Sequence, residues 1–102
     1  MDITKLFDLS DRVIIITGAA GNLGSKYAEG LSQAGANLVL ADLDYARCKK
    51  LGKQLESKYS TKTLAVKLDL TNKISIKNMV SKSMKEFSKI DVLINNAAYQ
   101  GN

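Results

Sequence analysis

Short runs of branched apolar residues alternate with longer helical stretches along the whole chain, and this alternation limits the fold more than any other feature of the sequence. The run Arg12-Val13-Ile14-Ile15-Ile16-Thr17 is bounded by glycine and reads as a strand buried on both faces. Leu23 to Ala34 is helical in pattern and stops at Gly35. Asn37-Leu38-Val39-Leu40-Ala41 is a second apolar strand, and Asp44 is placed to cap a helix beginning at Tyr45. Cys48, Leu51 and Leu55 recur at helical spacing, with lysines on the other side. Gly52 weakens that helix by up to about 1 kcal/mol relative to alanine. Thr63 to Leu68 is a third strand. Thr71 or Asn72 caps a helix running to about Ser88, with Ile76, Met79, Val80 and Phe87 on its buried face. Asp91-Val92-Leu93-Ile94-Asn95 is a fourth strand, followed by a loop from Asn96.

The order β-α-β-α-β-α-β, with apolar strands between amphipathic helices, implies an α/β fold: a parallel sheet with helices on both faces. Right-handed crossovers restrict the topology to few solutions. The doubly wound one places the strands in the order 3-2-1-4, and ligands then bind beyond the carboxyl ends of the strands at the switch point between the first and fourth. Those ends are Thr17-Gly18, Ala41-Asp42, Asp69-Leu70 and Asn95-Asn96-Ala97.

The first strand runs directly into Thr17-Gly18-Ala19-Ala20-Gly21-Asn22-Leu23-Gly24, and a helix follows. Unpaired N–H groups at a helix start favour an anion, and glycines let the backbone approach a pyrophosphate that a Cβ would push away. A glycine pattern alone also serves plain turns; strand before and helix after are the context a dinucleotide site requires. An acidic residue on the ribose hydroxyls is expected roughly 20 residues on, at the end of the second strand. Asp42 stands there, 18 residues after Gly24. A carboxylate accepts from a 2′-hydroxyl and repels a 2′-phosphate. Gly21 and Leu43 are not basic, and Arg47 lies a helical turn further on. The expected cofactor is therefore NAD in preference to NADP. Asp69 ends the third strand near where an adenine would sit, and a nucleotide contact is favoured over its other reading, a cap for the turn into Thr71-Asn72.

Several classes of function are disfavoured by composition. The chain has 102 residues, one cysteine (Cys48) and no histidine. An internal disulfide is impossible, and an imidazole-ligated metal site or a Ser-His-Asp arrangement is not expected. Residues 1–46 hold three basic and six acidic side chains, and residues 47–89 hold twelve and three. The lysines follow helical spacing with few aromatics between them, so they read as solvated helix faces and no nucleic-acid partner is expected. The run Val13 to Ile16 is too short to span a bilayer, and MDITKLFDLS lacks the apolar core of a signal peptide. The expectation is a cytoplasmic protein without a membrane partner.

The landmarks Thr17-Gly-Ala-Ala-Gly-Asn-Leu-Gly24, Asp42, Asp69-Leu70 and Asn95-Asn-Ala-Ala98, in this order and spacing, resemble those of the short-chain dehydrogenase/reductase family; so does the lead-in Leu6-Phe7-Asp8-Leu9-Ser10. The resemblance implies a Rossmann-type fold with NAD as cofactor. It implies that Gly18, Leu23 and Gly24 line the diphosphate, Asp42 holds the adenosine ribose, and Asp69 and Leu70 flank the adenine. Asn96 and Ala97 would run beside the nicotinamide ribose, and Asn95 would help hold the sheet. With the neighbouring positions Thr17, Gly21, Asn22, Leu43 and Ala98, these make up the expected cofactor site. Two positions depart from the family pattern: Asn22 stands where a middle glycine is usual, and Ala98 where a final glycine is usual.

Members of that family are more than twice this length, and their catalytic serine and their tyrosine and lysine spaced four apart come later. Residues 1–102 are thus expected to be the first part of the dinucleotide-binding domain. No catalytic residue is assigned within them, and they are expected to be inactive alone. Tyr45 and Lys49 have the spacing but fall on the adenosine side, away from the nicotinamide, and read as surface residues. In a full-length enzyme the reaction would be hydride transfer between NAD(H) and a small-molecule carbonyl or secondary alcohol. The alternative is a stand-alone nucleotide-binding module without catalysis. Without further strands, Val92-Leu93-Ile94 leaves an open apolar edge that invites self-association; heavy self-association would favour the fragment reading and a stable monomer the module.

Overall fold

The computed structural model describes residues 7–97. Among them run β1 (Val13–Thr17), α1 (Asn22–Gln33), β2 (Asn37–Asp42), α2 (Tyr45–Tyr59), β3 (Thr63–Lys67), α3 (Lys73–Phe87) and β4 (Val92–Asn95). Each expected element is present, with bounds within a residue or so of those read from the sequence. The sheet is parallel throughout, in the order β3-β2-β1-β4. β1 is central, with Ile15 opposite Val39 of β2 on one side and Leu93 of β4 on the other.

Alternation along the strands divides the core into two layers. Ile14, Ile16, Leu38 and Leu40 pack with Ala28 of α1 and with Cys48 and Leu55 of α2. Ile15, Val39, Ala41 and Val66 face the opposite side, against Met79 of α3. Successive side chains of a strand point to opposite faces, so a strand covered on both must be apolar throughout. β1 is buried at all five positions. Complete burial of a residue such as Ile16 or Leu40 contributes about 1.5–3 kcal/mol.

The helix ends follow from local chemistry. Asp44 accepts the Arg47 N–H and caps α2, while Asn72 accepts from Ile74 and Ser75 and caps α3. α1 closes at Ala34, and Gly35 follows at φ +100°. α2 and α3 instead end on Ser60 and Ser88, both in the left-handed region at φ 58° and 65°.

Two expectations need correction. Val80 is exposed, because α3 meets the sheet along Ile76, Met79, Ser83 and Phe87, and Val80 lies round the helix from that line. Ser83 takes the buried place, and its hydroxyl donates to the Met79 carbonyl at 2.7 Å. The sequence marks Gly52 as a weak point of α2, yet the packing there favours glycine. α2 lies so close to β3 that a Cβ at residue 52 would run into the Thr63 hydroxyl. β4 presents the open apolar edge expected of it, with Val92 and Leu93 44% and 57% exposed.

Candidate functional site

The carboxyl ends of all four strands open onto one cleft with a volume of about 650 Å³, within the usual range for small-molecule sites. Ten expected residues line it: Gly18, Gly21, Asn22, Leu23, Asp42, Leu43, Asp69, Leu70, Asn96 and Ala97. Thr17 and Gly24 are buried; they hold the cleft together from within. Ala98 lies outside the described residues. Leu68 and Thr71 also line the cleft but escaped the sequence reading. Leu68 carried a signal, as the last apolar residue of the third apolar run. Thr71 carried only its nearness to Asp69.

The glycine turn is built by backbone proximity. Gly18 has φ +68°, and a Cβ on it would come 3.0 Å from the Cα of Ala97 and 3.1 Å from Asn96 Nδ2. A Cβ on Gly24 would collide with the Gly18 carbonyl oxygen. That carbonyl accepts the Gly21 N–H at 3.2 Å and Asn96 Nδ2 at 3.3 Å. A side chain at residue 18 therefore forces the first loop and the β4 loop apart, and one at residue 24 forces α1 away from the Gly18 carbonyl.

α1 starts at Asn22 with Gly21 as its N-cap, and among the described residues no side chain caps it. Its first amides face the cleft end of the helix, where the backbone dipole is positive. Asn22 takes ordinary helical geometry and is absent from the positive-φ positions. Its tolerance of unusual angles is therefore not called upon.

Two side chains, Thr17 and Asp42, tie neighbouring strand ends together, and a third, Asp69, shapes its own turn. Thr17 Oγ1 accepts from the amides of Asn96 at 3.0 Å and Ala97 at 3.1 Å, and donates to Asn95 Oδ1 at 3.1 Å. Asp42 accepts the Ala20 N–H through Oδ2 and the Asp44 N–H through Oδ1. Asp69 Oδ1 accepts both the hydroxyl and the amide of Thr71, which together hold its carboxyl below the usual carboxylate range. The turn role weighed for Asp69 is thus present, and its side chain still borders the cleft.

Cys48 is fully buried in the core with Leu38, Leu40 and Leu55. Burial first, then the charges of Asp42 and Asp44, push its thiol up to about 12. It stays a neutral packing group at physiological pH. Tyr45 and Lys49 are both exposed, near the start of α2. The lysines of α2 and α3 are exposed on two helices that cover opposite faces of the sheet, so they form no single basic surface.

A parallel 3-2-1-4 sheet with a glycine turn leading into a helix at its switch point defines a Rossmann-type α/β protein. The family described as short chain dehydrogenase matches residues 12–102, and the chain belongs to that family. It is 39% identical to an NADP-dependent 3-hydroxy acid dehydrogenase of Schizosaccharomyces pombe over 87% of this chain and 35% of that protein. It is 37% identical to an NAD-dependent glycerol dehydrogenase of Listeria innocua over 91% of this chain and 35% of that protein. The crystal structure of L-sorbose reductase from Gluconobacter frateurii, complexed with NADPH and L-sorbose, superposes with a TM-score of 0.87 at 28% identity. That match covers 94% of this chain and 36% of the reductase. The chain spans between a quarter and about half of the length of the curated relatives it matches (25–54%). Among the described residues, no helix is long and apolar enough to cross a membrane.

Proposed function

We propose that this chain binds NAD as the opening part of a short-chain dehydrogenase domain. One observation carries the reading: the uncapped start of α1 and the Gly18–Gly24 contact leave a cradle that a Cβ would fill, at the mouth of a cleft ending in Asp42. The cradle fits a diphosphate, since backbone amides and a helix N-terminus supply donors without a competing side chain. Asp42 would receive the adenosine ribose hydroxyls, and Leu43 and Leu70, 64% and 37% exposed, give apolar surface at the adenine end. Asn96 and Ala97, held by Thr17, would border the nicotinamide ribose.

The preference for NAD rests on Asp42. A 2′-phosphate beside that carboxylate would meet like charge, and Gly21 and Leu43 offer no cation to offset it. The relatives themselves include both kinds of cofactor, so the preference is argued from this chain's own residues.

The chemistry supplied by a bound nicotinamide is hydride transfer to or from a carbonyl or secondary-alcohol carbon. This chain's residues would hold and orient the cofactor; no acid–base group within residues 1–102 is assigned to the substrate. The test is calorimetric titration with NADH and with NADPH, followed by a turnover assay with secondary alcohols. Tighter binding of NADH without turnover is the expected result. Tighter NADPH would overturn the preference, no binding of either would overturn the reading, and turnover would overturn the assignment of a binding role alone.

A further inference from the structure

The carboxylate of Asp42 stands between two backbone segments that reach the cleft from different places. Its Oδ2 accepts the Ala20 N–H at 3.1 Å, from the middle of the glycine turn, and its Oδ1 accepts the Asp44 N–H at 3.0 Å, from the turn into α2. Ala19 is tied to the same strand end, donating its N–H to the Ala41 carbonyl at 3.2 Å. The middle of the glycine turn therefore hangs from the end of β2. Among the described residues, Asp42 is the only side chain that hydrogen-bonds the backbone of residues 19–21.

We propose that Asp42 is a positioning residue for the glycine turn, setting its shape before any cofactor arrives, in addition to facing the ribose. The geometry requires an acceptor on each oxygen. A carboxylate provides two. A carboxamide provides one and turns an NH2 toward the other donor, and a serine reaches at most one of the two amides. Replacing Asp42 to admit a 2′-phosphate would therefore also release the turn that cradles the diphosphate. In this chain, cofactor choice and turn order share one side chain.

The cofactor part of this inference rests on the function proposed above; the ordering of the turn does not. Amide hydrogen exchange is measured first, without cofactor. In the unsubstituted protein the Ala20 amide is expected to be protected, and rapid exchange there overturns the proposal whatever any variant does. In Asp42→Asn, exchange at Ala20 is expected to accelerate about tenfold or more, as for loss of one charge-assisted hydrogen bond, while amides in the β1–β2 ladder keep their rates. Unchanged exchange at Ala20 sinks the idea, whatever Asp44 does. Should Asp42→Asn fail to fold, Asp42→Ser is read in the same way, alongside the unsubstituted protein.

Binding is then compared for NADH and for the analogue lacking both hydroxyls of the adenosine ribose. A side chain acting only through those hydroxyls would leave the analogue bound equally by the parent and Asp42→Asn, and that result overturns the proposal. The expected result is that the variant still binds the analogue about tenfold more weakly. If the parent binds no NADH, the cofactor reading fails, and the exchange data alone decide the role of Asp42 in the turn.

Discussion

The hydroxyl of Thr17 accepts the Asn96 amide at 3.0 Å, and this contact fixes the loop leaving β4 against the end of β1. The same oxygen accepts from Ala97 and donates to Asn95, so one buried side chain serves three residues of the neighbouring strand end. Thr17→Val keeps the shape and removes the oxygen, leaving the Ala97 amide without an acceptor and the Asn96 amide with the Ile94 carbonyl alone. A loss of about 1–3 kcal/mol is expected in urea unfolding, with faster hydrogen exchange at Ala97. An unchanged midpoint would show that water replaces the hydroxyl at no cost.

Gly52 sits inside α2, where helix propensity alone favours alanine by about 1 kcal/mol. The Cβ would meet the Thr63 hydroxyl, and it would lie 3.3 Å from Thr63 Cβ and 3.6 Å from Leu40 Cδ1. Overpacking of that kind costs about 1–3 kcal/mol, so Gly52→Ala is expected to lower the unfolding midpoint. Combining it with Thr63→Ala, which removes the nearest obstacle, should recover part of the loss. A midpoint that rises in the single variant contradicts the packing.

Ser60 and Ser88 hold left-handed backbone at the ends of α2 and α3. A side chain in that region costs about 1–2 kcal/mol that glycine avoids, although glycine returns part of it as entropy in the unfolded chain. Ser60→Gly and Ser88→Gly should each raise stability by about 0.5–1 kcal/mol. The gains should add, since the two helices pack on opposite faces of the sheet. Thermal unfolding of the single and double variants checks both statements.

Asp91 joins the beginnings of β1 and β4. Its Oδ2 accepts the Val13 N–H at 2.8 Å, Lys89 lies 3.1 Å away, and Arg12 flanks Oδ1 at 3.7 Å. The Val13 amide first, then Lys89, hold this carboxyl below its ordinary value of 3.8. A group depressed on folding stabilises the folded state fully above its unfolded value and loses that contribution as pH falls through its folded value. Stability should therefore drop as pH falls below 3.8, with Asp69 adding to the same slope. Lys58 is raised above 10.5, chiefly by Glu29, so its contribution is present below 10.5 and fades as pH rises above it. Urea midpoints across both ranges test the two signs. Asp91→Asn should flatten the acid limb, and an undiminished slope would mean that other carboxylates govern it.

The two outer strands differ in their defences. β3 ends in exposed Lys67, whereas Val92 and Leu93 present apolar side chains on β4, which is also a sheet edge. A sample of residues 1–102 is expected to self-associate through β4 as concentration rises. Leu93→Lys should reduce this in sedimentation, because a charge on an edge strand opposes pairing with another chain. Equal self-association of parent and variant would place the contact elsewhere.

Much of this molecule is legible in the order of its residues, because local chemistry decides it. Continuous branched runs such as Val13 to Ile16 specify strands buried on both faces. Asp44 and Asn72 announce helix starts, and Gly35 permits the backbone that follows α1. Right-handed crossovers narrow the strand order to few solutions, and the parallel order alone places Gly18, Asp42, Asp69 and Asn96 at one end of the sheet without any knowledge of their contacts.

What only the tertiary structure decided are relations between segments far apart in sequence. Gly52 reads as a defect until Thr63 is brought against it, and Val80 reads as core until α3 settles along Met79 and Ser83. Asp42 reads as a ribose ligand, and nothing near it in sequence shows that it also holds Ala20, 22 residues earlier. Periodicity and capping depend on neighbours within a helical turn or a strand. Which face touches what, and which oxygen meets which amide, depends on how whole elements pack, and that is settled only when the sheet and helices close on one another.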